Sequence, residues 1–297
     1  MSISSHIRAN IARTYLLMGA FTALVIVIAY VLGYALGYGT GFLWFAVIFS
    51  VASSFASYWW GDKLVLAMSR ARPADRSRDF DFFTVAENVA IAAGVPKPKL
   101  YVIDDTAMNA FATGRDPEHA IVVATSGILS GLERRELEGV IAHELSHIKN
   151  FDTRLMAVVA VLVGTIVFLS DMFMRSMWWG GRRRSRDSQG GDILLLVGIV
   201  LAILTPVFAM LMQFAVSRRR EFLADASAAN LTRYPDGLAR ALAKLSQDKE
   251  VLEAATNATA HLYITNPFKG KQFHAWFANM FNTHPPIAER IKRLQGM

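Results

Sequence analysis

The sequence predicts an α-helical membrane protein, four spans in two hairpins, carrying a mostly helical α+β domain with a small β-sheet. Three observations predict it. Of 297 residues, 53% are hydrophobic and mean hydropathy is +0.31. Charged residues are only 19%, against roughly 25% in soluble domains. The apolar runs come in two pairs, and the chain between and after them reads as short strands and amphipathic helices. The formal net charge is +7. In so apolar a chain, that balance points to lipid headgroups rather than nucleic acid, and "RRRSR" belongs to no nucleic-acid fold motif. There is no cysteine, which excludes disulfides and thiolate metal sites. A metal would have to be held by His, Asp or Glu.

Residues 1–61 form the first membrane hairpin. Thr14 to Gly61 carries no Asp, Glu, Lys or Arg, enough for two helices that each need about 20 residues to cross. The spans are about 14–36 and 42–60, with the turn at "GYGTG", Gly37 to Gly41. Tyr38 suits one interface; Tyr58, Trp59 and Trp60 suit the other. The first span is too long for a signal peptide and lacks a small-residue cleavage pattern, so it is expected to be retained.

Residues 62–153 make the first part of the soluble domain. "TVAENVAIAAG" reads as an amphipathic helix ending at Gly94. "KLYVIDD" reads as a strand, and "NAFATGRDPEHAIVVATS" as a hairpin turning around Gly114 to Pro117. "SGLERRELEGVIAHELSHIKN" is helical, and Ser130 with Glu133 fits a capping box at its start. A second membrane hairpin, 154–217, has spans at about 154–174 and 192–216 around an Arg- and Gly-rich loop. Residues 218–297 return to soluble character, with "RRREFLADASAANLTRYPDGLARALAKL" helical through Leu245. There is no internal repeat.

Within the helix, His143 and His147 lie four apart and share one face. Two imidazoles there can hold one ion, and zinc favours such nitrogen ligands with an open position for water. Glu144, directly after the first histidine, can act as general base. H-E-x-x-H alone occurs by chance on solvated helices, so context matters. Val140, Ile141, Leu145 and Ile148 give an apolar face, while "ERRELE" makes the first turns charged. That places the helix at the membrane surface rather than within it. A third ligand is needed. Glu221 offers it, with Asp225 four residues on, on the same helical face, to accept a hydrogen bond from a ligand histidine. The alternative is a Glu221 paired with Arg218 or Arg220.

The pieces "NAFATG" (Asn109 to Gly114), "HELSHIKNFD" (His143 to Asp152), "REFLADA" (Arg220 to Ala226) and "THPP" followed by "ER" (Thr283 to Arg290) resemble the HtpX-type membrane metalloproteases of peptidase family M48. They occur in the family's order, and the likeness covers nearly the whole chain. It implies a zincin-like metalloprotease domain and one zinc ion per chain, held by His143, His147 and Glu221. Glu144 would be catalytic and Asp225 a support. The substrates implied are membrane proteins or misfolded proteins, cleaved at the cytoplasmic face of a bacterial inner membrane in quality control under stress. It also implies a substrate-binding edge strand at Asn109, Ala110 and Phe111. His284 and Arg290 can stabilise an oxyanion or simply serve the start and body of a helix. Asn150 and Asp152 can support the site or cap the helix end, the latter being the favoured reading.

All three ligands must share one side of the membrane. Arg8, Arg13, Lys63, Arg70, Arg72 and Arg218 to Arg220 lie on that side, which is cytoplasmic by the positive-inside rule. Arg175, Arg182, Arg183, Arg184 and Arg186 in the second hairpin's loop run against the rule. Full crossing follows the family; a hairpin that only dips into the bilayer is the alternative. Two other functions compete. Intramembrane proteolysis would need the motif inside a span. An inactive scaffold or chaperone on the same fold would be expected to lack a ligand or the base, and none is missing.

Overall fold

The computed structural model describes residues 3–35, 40–165, 218–256, 258–268 and 285–297. The Arg-rich loop, the fourth span and His284 lie outside them, as do residues 166–174 of the third span and most of the "GYGTG" turn.

The chain begins with two long helices packed on each other, α1 (Ile3–Ala35) and α2 (Thr40–Met68). Among the described residues one stretch, Ile7–Val27, is long and apolar enough to cross a membrane. Helix α2 continues past Asp62, and its last turns are not membrane-like: Val65 and Leu66 are buried against the sheet.

The sheet has four strands in the order β1-β2-β4-β3: β1 (Arg72–Pro73), β2 (Lys99–Ile103), β3 (Ala110–Thr113) and β4 (Ile121–Thr125). The expected hairpin is present as β3 antiparallel to β4. Strand β2 runs parallel to β4, and the two-residue β1 closes the far edge antiparallel to β2. The central strand reads Ile-Val-Val-Ala-Thr without polar alternation because both its faces are covered. Val122 and Ala124 face a core built with α3 (Phe80–Ala93), α5 (Arg134–Lys149) and α8 (Pro235–Gln247). Ile121 and Val123 face the other side, with Val65 of α2, Met156 and Tyr263. Helix α3 stops where expected, at Gly94, whose left-handed φ of 66° satisfies the αL cap.

After α5 the chain reverses at Phe151, which adopts φ 57°, and starts helix α6, described over 152–165. Leu155, Val158, Val159, Leu162 and Val163 of α6 are buried with Leu17 and Phe21 of α1. The expected division at 153 thus falls at the first turn of a helix that packs on both the sheet and α1. Helix α7 (Arg218–Thr232) lies across α5, α8 packs beside both, and α9 (Ile287–Gln295) closes over α7 and α8.

Candidate active site

Helix α5 is started by Glu133 and Glu136. The Glu133 amide donates to Glu136 Oε2 at 2.8 Å, and the Lys244 ammonium donates to the same oxygen at 2.7 Å. The expected box at Ser130 does not form. Ser130 sits inside α4 (Ser126–Gly131), and its hydroxyl turns back to the carbonyls of Ser126 and Gly127. The α5 start therefore shifts three residues along the chain. Gly139 then lets α5 lie directly on α8: a Cβ there would stand 2.7 Å from the Leu238 nitrogen.

His143 and His147 face the same space, with Nε2 atoms 3.2 Å apart. Glu221 enters from α7. Its Oε2 lies 3.7 Å from His143 Nε2 and its Oε1 lies 3.5 Å from His147 Nε2. The three ligand atoms lie within 4.8 Å of one another. Each ring is held from behind. Asp225 Oδ1 is 3.0 Å from His143 Nδ1, and Asp152 Oδ2 is 2.9 Å from His147 Nδ1. A carboxylate beside Nδ1 accepts a hydrogen bond from that nitrogen, so that in the neutral ring the Nε2 lone pair is directed at the shared space. Two imidazole nitrogens and one carboxylate, buried and without sulfur, fit a divalent metal of the zinc type.

Asp152 is where the structure departs from the favoured reading. It does not merely end the helix. The left-handed Phe151 turns the chain so that a residue five positions after His147 reaches back to its ring. Asn150 stays at the α5 C-cap, its amide donating to the Ser146 carbonyl.

Two arginines balance these acids. Arg290, fully buried, donates from Nε and Nη2 to the two oxygens of Asp225 at 2.9 and 2.7 Å, and its Nη1 lies 3.5 Å from Glu221. It braces Asp225, so it is not aimed at a substrate oxyanion. Arg220 Nε lies 3.2 Å from Asp152.

Burial drives His143 down to about 4, with Arg290 adding to the effect. For His147, burial also lowers the pKa, but the Asp152 hydrogen bond and the charge of Glu221 outweigh it and raise the group to about 9. Burial pushes Glu144 up to about 7, against the pull of His147 and with help from Glu221. In the metal-free site this carboxyl therefore exchanges its proton near neutral pH. Burial raises Asp225 too, yet its bonds to His143 and Arg290 prevail and hold it below its ordinary range.

Strand β3 is the edge of the sheet nearest the site, but its outward groups are partly used. The Ala110 carbonyl accepts the Ile264 amide at 3.0 Å, and the Ala110 amide donates to Asn109 Oδ1. Asn109 Nδ2 donates to the Thr265 carbonyl, and Phe111 is buried edge-on against Tyr263. The Ala112 amide donates to Glu144.

A H-E-x-x-H helix crossed by a second helix that brings a carboxylate, beside a small sheet, defines a metallopeptidase. This chain belongs to peptidase family M48, whose model matches residues 77–297. It is 43% identical over 291 residues to the "Protease HtpX homolog" of Caldanaerobacter subterraneus subsp. tengcongensis, covering 97% of this chain and 95% of that one. The "Protease HtpX homolog" of Dictyoglomus thermophilum is 45% identical over 98% of this chain and 93% of its own length. Among solved structures, S. mikatae Ste24p shares the fold, with a TM-score of 0.50 at 20% identity, over 98% of this chain and 66% of that chain.

Proposed function

We propose that this chain is a zinc-dependent endopeptidase anchored in a bacterial inner membrane, cleaving membrane or misfolded proteins on the cytoplasmic side as quality control under stress. The observation that carries the reading is the convergence of His143, His147 and Glu221 with Glu144 next to them. These residues would hold zinc, which supplies Lewis-acid polarisation and a more acidic water. Glu144 then takes the proton of the attacking water and returns it to the leaving amine. Asp225 and Asp152 hold the two ligand rings in place during this exchange.

Side and substrate follow from charge and placement. Arg8, Arg13, Lys63, Arg70 and Arg72 flank the first hairpin on the side that carries the site, which supports a cytoplasmic orientation. Four spans, with the second hairpin crossing fully, complete this topology. An extended substrate would pair on β3 from the Ala112 carbonyl onward, since the Ala110 carbonyl and the Ala112 amide are already engaged. The test is Glu144→Gln, which keeps shape and removes the base. The variant is expected to retain zinc and lose at least a hundredfold in cleavage of an unfolded membrane-protein substrate. Unchanged cleavage would refute the mechanism.

A further inference from the structure

The N-terminal helix reaches the metal site. Asn10 lies on α1, outside the matched family region, and is buried. Its Nδ2 donates to Asp152 Oδ1 at 2.6 Å and to the Asn150 carbonyl at 3.0 Å. The other oxygen of Asp152 receives His147 Nδ1. One amide group on the membrane helix thus fixes both the end of α5 and the carboxylate that sets a ligand ring. One turn on, Thr14 donates to the Asn10 carbonyl, and Leu17 and Phe21 follow on the face buried against α6. The α1–α6 contact therefore fixes where Asn10 stands.

We propose that Asn10 is a positioning residue for the metal site, acting through Asp152 on His147, so that metal affinity depends on how α1 is seated against α6. This rests on the zinc reading above. The physical basis is the geometry of a carboxylate with two jobs. Asp152 can hold the His147 ring at one angle only if its far oxygen is fixed, and two groups meet that oxygen: the Asn10 amide donates from α1, and the Arg220 guanidinium stands 3.2 Å away as an ion pair from α7. Arg220 supplies charge from the soluble domain. Asn10 supplies a directed donor from the membrane helix. Without Asn10 only the Arg220 charge, already 3.2 Å from the same oxygen, remains, and an ion pair fixes the carboxylate's angle less than a directed donor does, so the imidazole is free to turn with it. The anchor would then be part of the site's construction rather than a tether.

The test uses the full chain in detergent, in a Glu144→Gln background that prevents self-cleavage. Zinc retention against a graded chelator and the visible spectrum of the cobalt-substituted protein are compared for four forms: unaltered at position 10, Asn10→Leu, Asp152→Asn, and the double variant. Asn10→Leu is expected to weaken zinc roughly three- to tenfold, below the 10–100-fold typical of a direct partner of a ligand, and to alter the cobalt bands. In the Asp152→Asn background it should add almost nothing. Full affinity with an unaltered cobalt spectrum would overturn the proposal, as would an equal loss in both backgrounds. Asn10→Asp, which keeps size and reverses the interaction with Asp152, should weaken zinc at least as much. Failure of both position-10 variants to fold would make Asn10 a folding residue and overturn the proposal. If the parent form binds no zinc, the metal reading itself falls, and this with it.

Discussion

Arg290→Met removes the cation at the back of the site. The guanidinium is fully buried, bonded to both oxygens of Asp225, and 3.5 Å from Glu221. Burial lowers its pKa, yet Asp225 and Glu221 more than restore it, so it is charged in the folded chain. Methionine fills a similar volume without the charge. Two buried carboxylates then lose their counter-charge. Breaking a buried pair from one side costs about 3–5 kcal/mol. For a chain this size each kcal/mol lowers a melting midpoint by roughly 2–4 °C, so the metal-free protein should melt roughly 6–20 °C lower. Arg293, on the same helix, is the control. It is half exposed, pairs with Glu289 at 2.7 Å and stacks on Phe222, and Arg293→Met should cost less than about 1 kcal/mol. The assay is thermal unfolding in detergent of both variants, stripped of metal, in the Glu144→Gln background. An Arg290→Met midpoint within about 2 °C of the parent, or equal losses at the two positions, would refute the account of Arg290 as the site's counter-charge.

Gly139→Ala should give no gain in stability and a loss of up to about 2 kcal/mol. Alanine gains about 1 kcal/mol in helix propensity, but its Cβ would meet the Leu238 backbone at 2.7 Å, and overpacking of that kind costs about 1–3 kcal/mol. A rise in melting midpoint would contradict the close packing of α5 on α8. Zinc binding at pH 7 should release at least about one proton: His147, raised to about 9 without metal, gives up one, Glu144, at about 7, gives up part of another, and His143, held near 4, gives none. Calorimetry in buffers of different ionisation enthalpy reads this directly. The same shift fixes a pH dependence for the metal-free fold. His147 has a folded pKa above its ordinary 6.5, so its contribution is complete below 6.5 and is lost as pH rises through about 9. Glu144, raised from 4.5 to about 7, acts in the same direction between those values. Metal-free protein that melts higher at pH 9.5 than at pH 6 would contradict both assignments.

The His143–His147 pair was legible because helical spacing is local information, and so was the shared face of Glu221 and Asp225; that the two helices meet, as the structure shows, was decided in the reading only by the family resemblance. The β3–β4 hairpin was legible from its turn, and the end of α3 from Gly94. Asp152 was misjudged because its role depends on a left-handed turn at Phe151, a residue whose type gives no sign of one. The start of α5 was misplaced because Ser130 and Glu133 fit a capping box as well as Glu133 and Glu136 do. Only the break between α4 and α5 decides between them. Arg290 was legible only as an oxyanion candidate and not as the partner of Asp225, and Asn10 was not legible at all. They lie 65 and 142 residues from the carboxylates they hold, and pattern reading has no access to contacts at that separation. The use of the β3 outer edge by Ile264 was hidden for the same reason.

Helix α9 comes last in chain order among the described elements, and it brings Arg290. A polypeptide made from its N-terminus carries Asp152, Glu221 and Asp225 before the arginine that neutralises two of them exists. Until α9 docks, Asp225 lacks its two guanidinium hydrogen bonds and Glu221 lacks the cation 3.5 Å away. The carboxylate that holds the His143 ring is thus itself held by the last described helix, so the end of the chain stands behind a histidine near its middle.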